Sequence, residues 1–96
     1  MDMLVTYDVN TLTKEGRSRL RKVAKVCTSF GQRVQYSVFE VTVNAVQRER
    51  MMEKLLAVVS QTEDSLRIYH LYGGREKVVE SYGRDSYVDF EGTLMI

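Results

Sequence analysis

The sequence predicts an α+β fold, in which two helices pack on a small sheet. Two stretches have apolar residues at helical spacing, and four are dominated by the β-branched and aromatic residues that favour strands. The predicted helices cover about residues 14–29 and 45–61, and the predicted strands cover 3–9, 33–43, 66–72 and 77–82. We predict a ferredoxin-like fold of the order strand-helix-strand-strand-helix-strand, with an extra C-terminal strand.

The first predicted strand, residues 3–9, is almost wholly apolar and carries one carboxylate, Asp8. Aspartate is rare in strands, and its burial without a partner costs free energy. Asp8 is therefore paired, or caps the open end of the strand, or binds a cation. Carboxylate oxygens suit a hard cation such as Mg²⁺, but one carboxylate is a poor site alone. If this strand lines a two-fold interface, Asp8 from two copies could share one ion.

The first predicted helix has an apolar face and a basic face. Thr11 or Thr13 can cap its start, and Gly31 is expected to end it. The apolar face consists of Leu20, Val23, Ala24, Cys27 and Phe30. At about 100° per residue, the opposite side carries a basic ridge of Lys14, Arg17, Arg21 and Lys25, with Lys22 at its margin. Arg19 projects along the edge of the apolar face, where it could reach a neighbouring strand.

Positive charge is concentrated in this helix. The net charge of the chain is +1, but residues 14–33 carry seven basic side chains against one acidic side chain, a net +6, so the other residues sum to −5. Such a block is either a solvated helix face or a surface for a polyanion. As a binding surface, the ridge would contact nucleic-acid phosphates and read shape rather than sequence, because no glycine-rich loop or aromatic platform accompanies it.

The predicted strands 33–43 and 66–72 lack a polar face. Antiparallel sheets with one wet face alternate cleanly between apolar and polar residues, so we expect this sheet to be covered on both faces. Two helices cover one face, led in the second helix by Met52, Leu55, Leu56 and Val59. The economical cover for the other face is a second copy of the chain, in a two-fold homodimer packed through the sheets.

Composition indicates one domain over residues 1–82, followed by a tail. The tail, residues 83–96, is acidic with an apolar end, and we expect it to add an edge strand to the partner subunit. No apolar run approaches the roughly 20 residues that span a bilayer, and the N-terminus does not resemble a signal peptide. The single cysteine, Cys27, fits a reducing compartment. We therefore expect a cytoplasmic protein with no membrane partner.

Two further positions are candidate sites. Arg33, with Gln35 and Ser37, begins the predicted strand 33–43 and could orient a phosphate, although this segment is also an ordinary strand entry. His70 is the only histidine, and a lone histidine in a strand is more often a packing residue than a catalytic base.

Four segments of the chain resemble the CRISPR-associated protein 2 family, the small partner of the spacer integrase. They are Val5-Thr6-Tyr7-Asp8-Val9, Arg19-Leu20-Arg21-Lys22-Val23, Gly31-Gln32-Arg33-Val34-Gln35-Tyr36-Ser37-Val38-Phe39-Glu40 and Ser65-Leu66-Arg67-Ile68-Tyr69. The likeness covers roughly residues 3–82. The chain length and the segment 31–35 are similar to versions found with type I-C systems.

The resemblance implies a ferredoxin-like homodimer in which Asp8 binds Mg²⁺, or another divalent cation, at the dimer interface. The residues that it implies for nuclease activity are Tyr7, Asp8, Arg19, Arg21, Arg33 and Phe39. It also implies cleavage of single-stranded RNA or double-stranded DNA, and a bridging role between integrase subunits in which the dimer binds duplex DNA. These roles can coexist.

Three functions follow as hypotheses. The first is a duplex-DNA-binding dimer that bridges integrase subunits in spacer acquisition, with Lys14, Arg17, Arg21, Lys22, Lys25 and Arg33 as the binding residues. The second is a metal-dependent endonuclease centred on Asp8. The third is an RNA-binding or regulatory ferredoxin-like module without catalysis, which predicts aromatic side chains exposed on the open face of the sheet.

Overall fold

The computed structural model describes residues 1–72 and 76–84. The elements in this part of the chain are β1 (Asp2–Asp8), α1 (Lys14–Phe30), β2 (Gly31–Gln35), β3 (Val38–Thr42), α2 (Ala45–Val58), β4 (Ser65–Tyr72) and β5 (Glu76–Gly83). The strands form one antiparallel sheet in the order β2-β3-β1-β4-β5. This is the predicted ferredoxin-like order with an extra C-terminal strand, which is confirmed.

The prediction of one strand over residues 33–43 is wrong. The chain turns at Tyr36 and Ser37, and β2 pairs with β3 as a hairpin in which Gln35 lies opposite Val38. The turn was missed because it contains none of the glycine, proline, asparagine or aspartate residues that usually mark one. The hairpin supplies the second strand that the fold requires between its two helices.

β1 is the middle strand, and its inward side chains organise the core. Met3, Val5 and Tyr7 are buried on one face of the sheet. In register, they lie beside Val41 and Phe39 of β3 and beside His70, Ile68 and Leu66 of β4. The helices cover this face with Val23, Cys27, Met51, Met52 and Leu55, which belong to the same buried cluster. Removal of this apolar surface from water is the main stabilising contribution.

Both helices begin at polar caps. The Thr13 hydroxyl accepts a hydrogen bond from the Gly16 N–H, which confirms one of the two predicted caps of α1. Asn44 and Gln47 form a reciprocal capping box at the start of α2. α2 ends at Val58, earlier than predicted.

The predicted core stripe of α2 is wrong at one position. Leu56 is 37% exposed, whereas Met51 is fully buried. The buried face is therefore Met51, Met52, Leu55 and Val59. The sequence did not show whether Met51 or Leu56 lies on the buried face with Leu55, because both residues are apolar.

Among the described residues, both helices lie on the same face of the sheet. The other face carries Leu4, Thr6, Arg67 and Tyr69, which are half-buried, and Glu40, which is exposed. The second copy expected to cover this face stays a prediction. From residue 85 onward, the predicted tail lies outside the described residues.

Candidate active site and nucleic-acid interface

Asp8 is the last residue of β1, and its side chain is exposed. In register it lies opposite Ser65, the first residue of β4. Because β1 is the middle strand, Asp8 stands near the centre of one end of the sheet. It lines two clefts, which we call the arginine cleft and the loop cleft.

The arginine cleft, of about 370 Å³, lies between the end of β1, α1 and the β2–β3 turn. Its polar lining consists of Tyr7, Asp8, Arg21, Arg33, Tyr36 and Ser37. The Tyr7 N–H donates to the carbonyl oxygen of Ser37 at 3.2 Å, and the Tyr7 hydroxyl donates to that of Tyr36 at 3.4 Å. Tyr7 therefore holds the β2–β3 turn against β1.

Arg33 is positioned by an aromatic pair beneath it. Its guanidinium carbon lies 5.1 Å from the centre of the Phe39 ring, and the Phe39 ring lies 6.2 Å from that of Tyr7 in a stacked arrangement. A cation over an aromatic face is attracted to the ring. Phe39 is fully buried, so its contribution to the site is to support Arg33.

The phenol of Tyr7 is suited to donating a hydrogen bond. Burial raises the pKa of Tyr7 above its ordinary value of 10.0, and hydrogen bonding to Arg33 opposes this shift without reversing it. At neutral pH the phenol stays protonated. The protonated phenol can therefore donate a hydrogen bond within the arginine cleft, as it does to the Tyr36 carbonyl oxygen.

Arg19 does not line the arginine cleft. Its Nε donates to Asp64 Oδ2 at 2.8 Å, and its Nη2 lies 3.3 Å from both Asp64 Oδ1 and Glu63 Oε1. Arg19 was predicted to reach a neighbouring strand, but its partners here are the two residues immediately before β4. The described contacts of Arg19 thus bind α1 to the loop between α2 and β4.

Asp64 is a fully buried carboxylate that the sequence reasoning missed. Besides Arg19, it accepts hydrogen bonds from the backbone N–H groups of Asn10 at 3.0 Å and Ser60 at 2.8 Å. Burial alone would raise the pKa of Asp64, but the hydrogen bonds from Arg19, Ser60 and Asn10 together lower it below the ordinary value of 3.8. The sequence feature that could have indicated Asp64 is its position directly before the apolar strand β4, whereas Asp8 is the last residue of the apolar strand β1.

The basic ridge is present as predicted. Lys14, Arg17, Arg21, Lys22 and Lys25 are all exposed along α1. The Arg17 guanidinium donates to the carbonyl oxygen of Thr11 at 3.3 Å, which holds this guanidinium near the start of the helix. Lys22 and Lys25 share a groove with Lys54 of α2, so the positive surface extends onto the second helix.

Comparison with known proteins identifies the family. Residues 1–77 match the family model described as "CRISPR associated protein Cas2". The chain belongs to the Cas2 family. The Moorella thermoacetica "CRISPR-associated endoribonuclease Cas2 1" is 48% identical over 96 residues, which is 100% of each chain. The Halalkalibacterium halodurans "CRISPR-associated endonuclease Cas2" is 43% identical over 95 residues, 99% of each chain.

A solved structure supports the same assignment. The crystal structure of Streptococcus pyogenes Cas2 at pH 6.5 matches with a TM-score of 0.70 and 49% sequence identity, covering 75% of this chain and 87% of that one. The predicted Cas2 resemblance is confirmed, and the predicted enzyme class, a nuclease, is confirmed at the level of the family. The type I-C subtype stays an expectation.

Within this Cas2 chain, the predicted site residues divide into three groups. The arginine cleft brings together Tyr7, Asp8, Arg21 and Arg33, with Phe39 beneath Arg33. Arg19 belongs to the separate network with Asp64. Lys14, Arg17, Lys22 and Lys25 line the outer face of α1. The sequence could not separate these groups, because the distinction depends on which loop each side chain meets.

The oxygen donors around Asp8 were tested for a divalent cation. Glu63 and Asp64 line the loop cleft with Asp8, but both oxygens of Asp64 already accept hydrogen bonds. In residues 1–72 and 76–84, no three carboxylate, histidine or cysteine side chains form a metal-binding group. The exposed Asp8 carboxylate suits a hard cation, but one chain supplies too few ligands. A complete site needs donors from elsewhere.

The two helices also bear on whether the chain could span a membrane. In the part of the chain that the structure describes, neither α1 nor α2 is both long and apolar enough to cross a bilayer.

Proposed function

We propose that this Cas2 chain forms a two-fold homodimer that binds duplex DNA and bridges integrase subunits during spacer acquisition. The observation that carries this proposal is the exposed basic ridge of α1, with Arg17 and Arg21 at its centre. Membership in a CRISPR-associated family supports the biological setting. The sheet face opposite the helices supports the dimer, because its half-buried Leu4 has no helix over it among the described residues.

A ridge of this kind binds the phosphate backbone. Side chains three and four residues apart lie on one side of a helix, so Arg17 and Arg21 can contact phosphates of one duplex together. Each neutralised phosphate releases counterions, which makes binding strongly salt-dependent. A two-fold axis would present two ridges to one long ligand. The proposed complex is therefore sequence-tolerant and sensitive to ionic strength.

Charge reversal on the ridge tests DNA binding. We expect Arg17→Glu with Arg21→Glu to abolish duplex binding, and Arg17→Glu alone to weaken it and to reduce its salt dependence. The matched control for the single change is Arg50→Glu, which reverses an exposed arginine on α2. Fluorescence anisotropy with a labelled duplex at several salt concentrations gives the affinities. Unchanged affinity in the double variant would count against the ridge as the DNA-binding surface.

The dimer has an independent test. Sedimentation equilibrium should give a mass twice that of the 11.1 kDa chain. Introducing a charge on the open sheet face, as in Leu4→Glu, should produce monomers that keep their circular dichroism spectrum. A wild-type monomer at working concentration would exclude the homodimer. It would leave the third hypothesis, an RNA-binding or regulatory module.

A second function, metal-dependent cleavage of single-stranded RNA or double-stranded DNA, is supported by the arginine cleft. Arg21 and Arg33 can hold a phosphate beside Asp8, and the names of the relatives assign endonuclease or endoribonuclease activity to those proteins. In a homodimer, Asp8 from both copies would hold Mg²⁺ or another divalent cation. When bound, such an ion supplies an activated water and neutralises charge on the phosphate.

Replacing Asp8 with asparagine tests cleavage, because asparagine keeps the shape of the aspartate side chain and removes its negative charge. We expect Asp8→Asn to abolish magnesium-dependent cleavage of RNA and duplex DNA, while the thermal unfolding midpoint changes little because Asp8 is exposed. Asp2→Asn, which changes the exposed acid at the other end of β1, is the matched control. Cleavage that survives Asp8→Asn would place the activity elsewhere or in a contaminant.

A further inference from the structure

Tyr36 is the most exposed aromatic residue among those whose side chains the structure describes, at 92%. It occupies the turn between β2 and β3 and lines the arginine cleft with Arg21, Arg33 and Asp8. The sequence reasoning predicted no aromatic platform beside the basic residues of α1. The hairpin places one there, because the turn folds back to the end of β1.

The position of Tyr36 is fixed by its backbone. Its carbonyl oxygen accepts a hydrogen bond from the buried Tyr7 hydroxyl, and the next carbonyl, that of Ser37, accepts one from the Tyr7 N–H. The neighbouring residues Gln35 and Val38 are paired across the hairpin. Its ring makes none of these bonds. An aromatic ring on an anchored turn can bind a ligand with little loss of conformational entropy.

A single exposed aromatic residue is common on protein surfaces, so exposure alone carries no weight. Here Tyr36 lines a cleft together with two arginine residues, Arg21 and Arg33, and the Arg33 guanidinium lies over the Phe39 ring. Guanidinium groups recognise phosphate, and aromatic rings stack on the faces of nucleobases. One cleft therefore offers a partner for each half of a nucleotide.

We infer that the Tyr36 ring stacks on the base of an unpaired nucleotide whose phosphate lies against Arg21 and Arg33. In a duplex the base faces are covered by neighbouring base pairs, so only a single strand or a splayed end offers a free face. Every base has such a face, so binding should tolerate any sequence. This inference deepens the proposed cleavage function and rests on it for the presence of nucleic acid in the arginine cleft.

Fluorescence tests stacking directly, because the chain contains no tryptophan. The variant Tyr36→Trp places one indole in the turn, and Val46→Trp places one on the 61%-exposed start of α2 as the control. We expect single-stranded RNA of mixed sequence, added without magnesium, to quench Tyr36→Trp strongly and Val46→Trp little. An abasic strand and a blunt duplex should quench Tyr36→Trp weakly. Equal quenching by the abasic strand, or none by RNA, would overturn the inference.

Affinity gives the second measurement. Loss of one stacked base should weaken single-strand binding about 5- to 150-fold in Tyr36→Ala, whereas Tyr36→Phe should bind like wild type. Blunt-duplex affinity should be unchanged in both. Wild-type affinity for single strands in Tyr36→Ala would overturn the stacking role alone. A wild-type protein that binds no nucleic acid would overturn both this role and the proposed function.

Discussion

Arg19 of α1 and Asp64, the residue before β4, form a buried ion pair with 2.8 Å between Nε and Oδ2. The Arg19 side chain is only 18% exposed, and that of Asp64 is fully buried. Asp64 also accepts hydrogen bonds from the N–H groups of Asn10 and Ser60. The pair therefore joins α1 to the segments that follow β1 and α2.

Removing the Asp64 carboxylate should destabilise the fold substantially. In Asp64→Ala, the Arg19 guanidinium loses its partner, and the N–H groups of Asn10 and Ser60 lose their acceptors. We expect the free energy of unfolding to fall by about 3 to 5 kcal/mol. Urea denaturation followed by circular dichroism measures the change.

Glu63→Ala is the control for this experiment. Glu63 contacts the same arginine at 3.3 Å, but its side chain is 48% exposed. An exposed ion pair contributes little, so we expect a change below about 1 kcal/mol. Equal losses in the two variants would show that the burial of Asp64 is not what matters.

Acid should remove the contribution of Asp64. Because its pKa is lower in the folded state than the ordinary value of 3.8, its charge stabilises the fold above that value, and the stabilisation is lost as the pH falls through the folded pKa. The difference in unfolding free energy between wild type and Asp64→Asn should be constant above about pH 5 and shrink below about pH 4. A difference that grew in acid would contradict this assignment.

The Tyr7 hydroxyl should matter for the turn more than for stability. Tyr7→Phe removes the 3.4 Å hydrogen bond to the Tyr36 carbonyl and leaves the ring beside Phe39. We expect a stability loss below about 1.5 kcal/mol. Cleavage should be reduced but not abolished, unlike in Asp8→Asn. Complete loss of cleavage in a stable Tyr7→Phe variant would give the phenol a direct chemical role.

Gly31 should not tolerate a side chain. It ends α1 at the predicted position, with its N–H donating to the Cys27 carbonyl, but its φ of −164° is extended. A Cβ there would lie 2.1 Å from the Glu40 carbonyl oxygen of β3. We expect Gly31→Ala to cost about 1 to 3 kcal/mol through this overlap. Thermal melts should show the loss, with the exposed Gln32→Ala as a near-neutral control.

Cys27 should be chemically inert in the folded protein. Burial raises the pKa of its thiol from 9.0 to about 12, so almost no thiolate is present at pH 8. We expect no reaction with a disulfide reagent such as DTNB under native conditions, and one equivalent after denaturation in urea. Rapid modification of native protein would show that α1 opens locally.

The sequence reasoning succeeded where local pattern and burial agree. The apolar run of β1 predicted a buried strand, and the basic ridge of α1 has the helical period, so the exposed side of α1 could be predicted directly. Cys27 and His70 were correctly predicted to be buried. The hairpin at Tyr36 was not predicted, because its turn contains no glycine, proline, asparagine or aspartate. The exposure of Leu56 was not predicted, because neighbouring positions of α2 are equally apolar.

By itself, the sequence determined the fold class, the family, the one-sided charge of α1 and the position of Asp8 at the end of β1. Only the tertiary structure decided that Arg33 and Tyr36 line one cleft with Asp8, while Arg19 pairs with Asp64. The physical reason is that charge and periodicity belong to single elements, whereas the partner of a long side chain depends on which loops the strand order brings to the same end of the sheet.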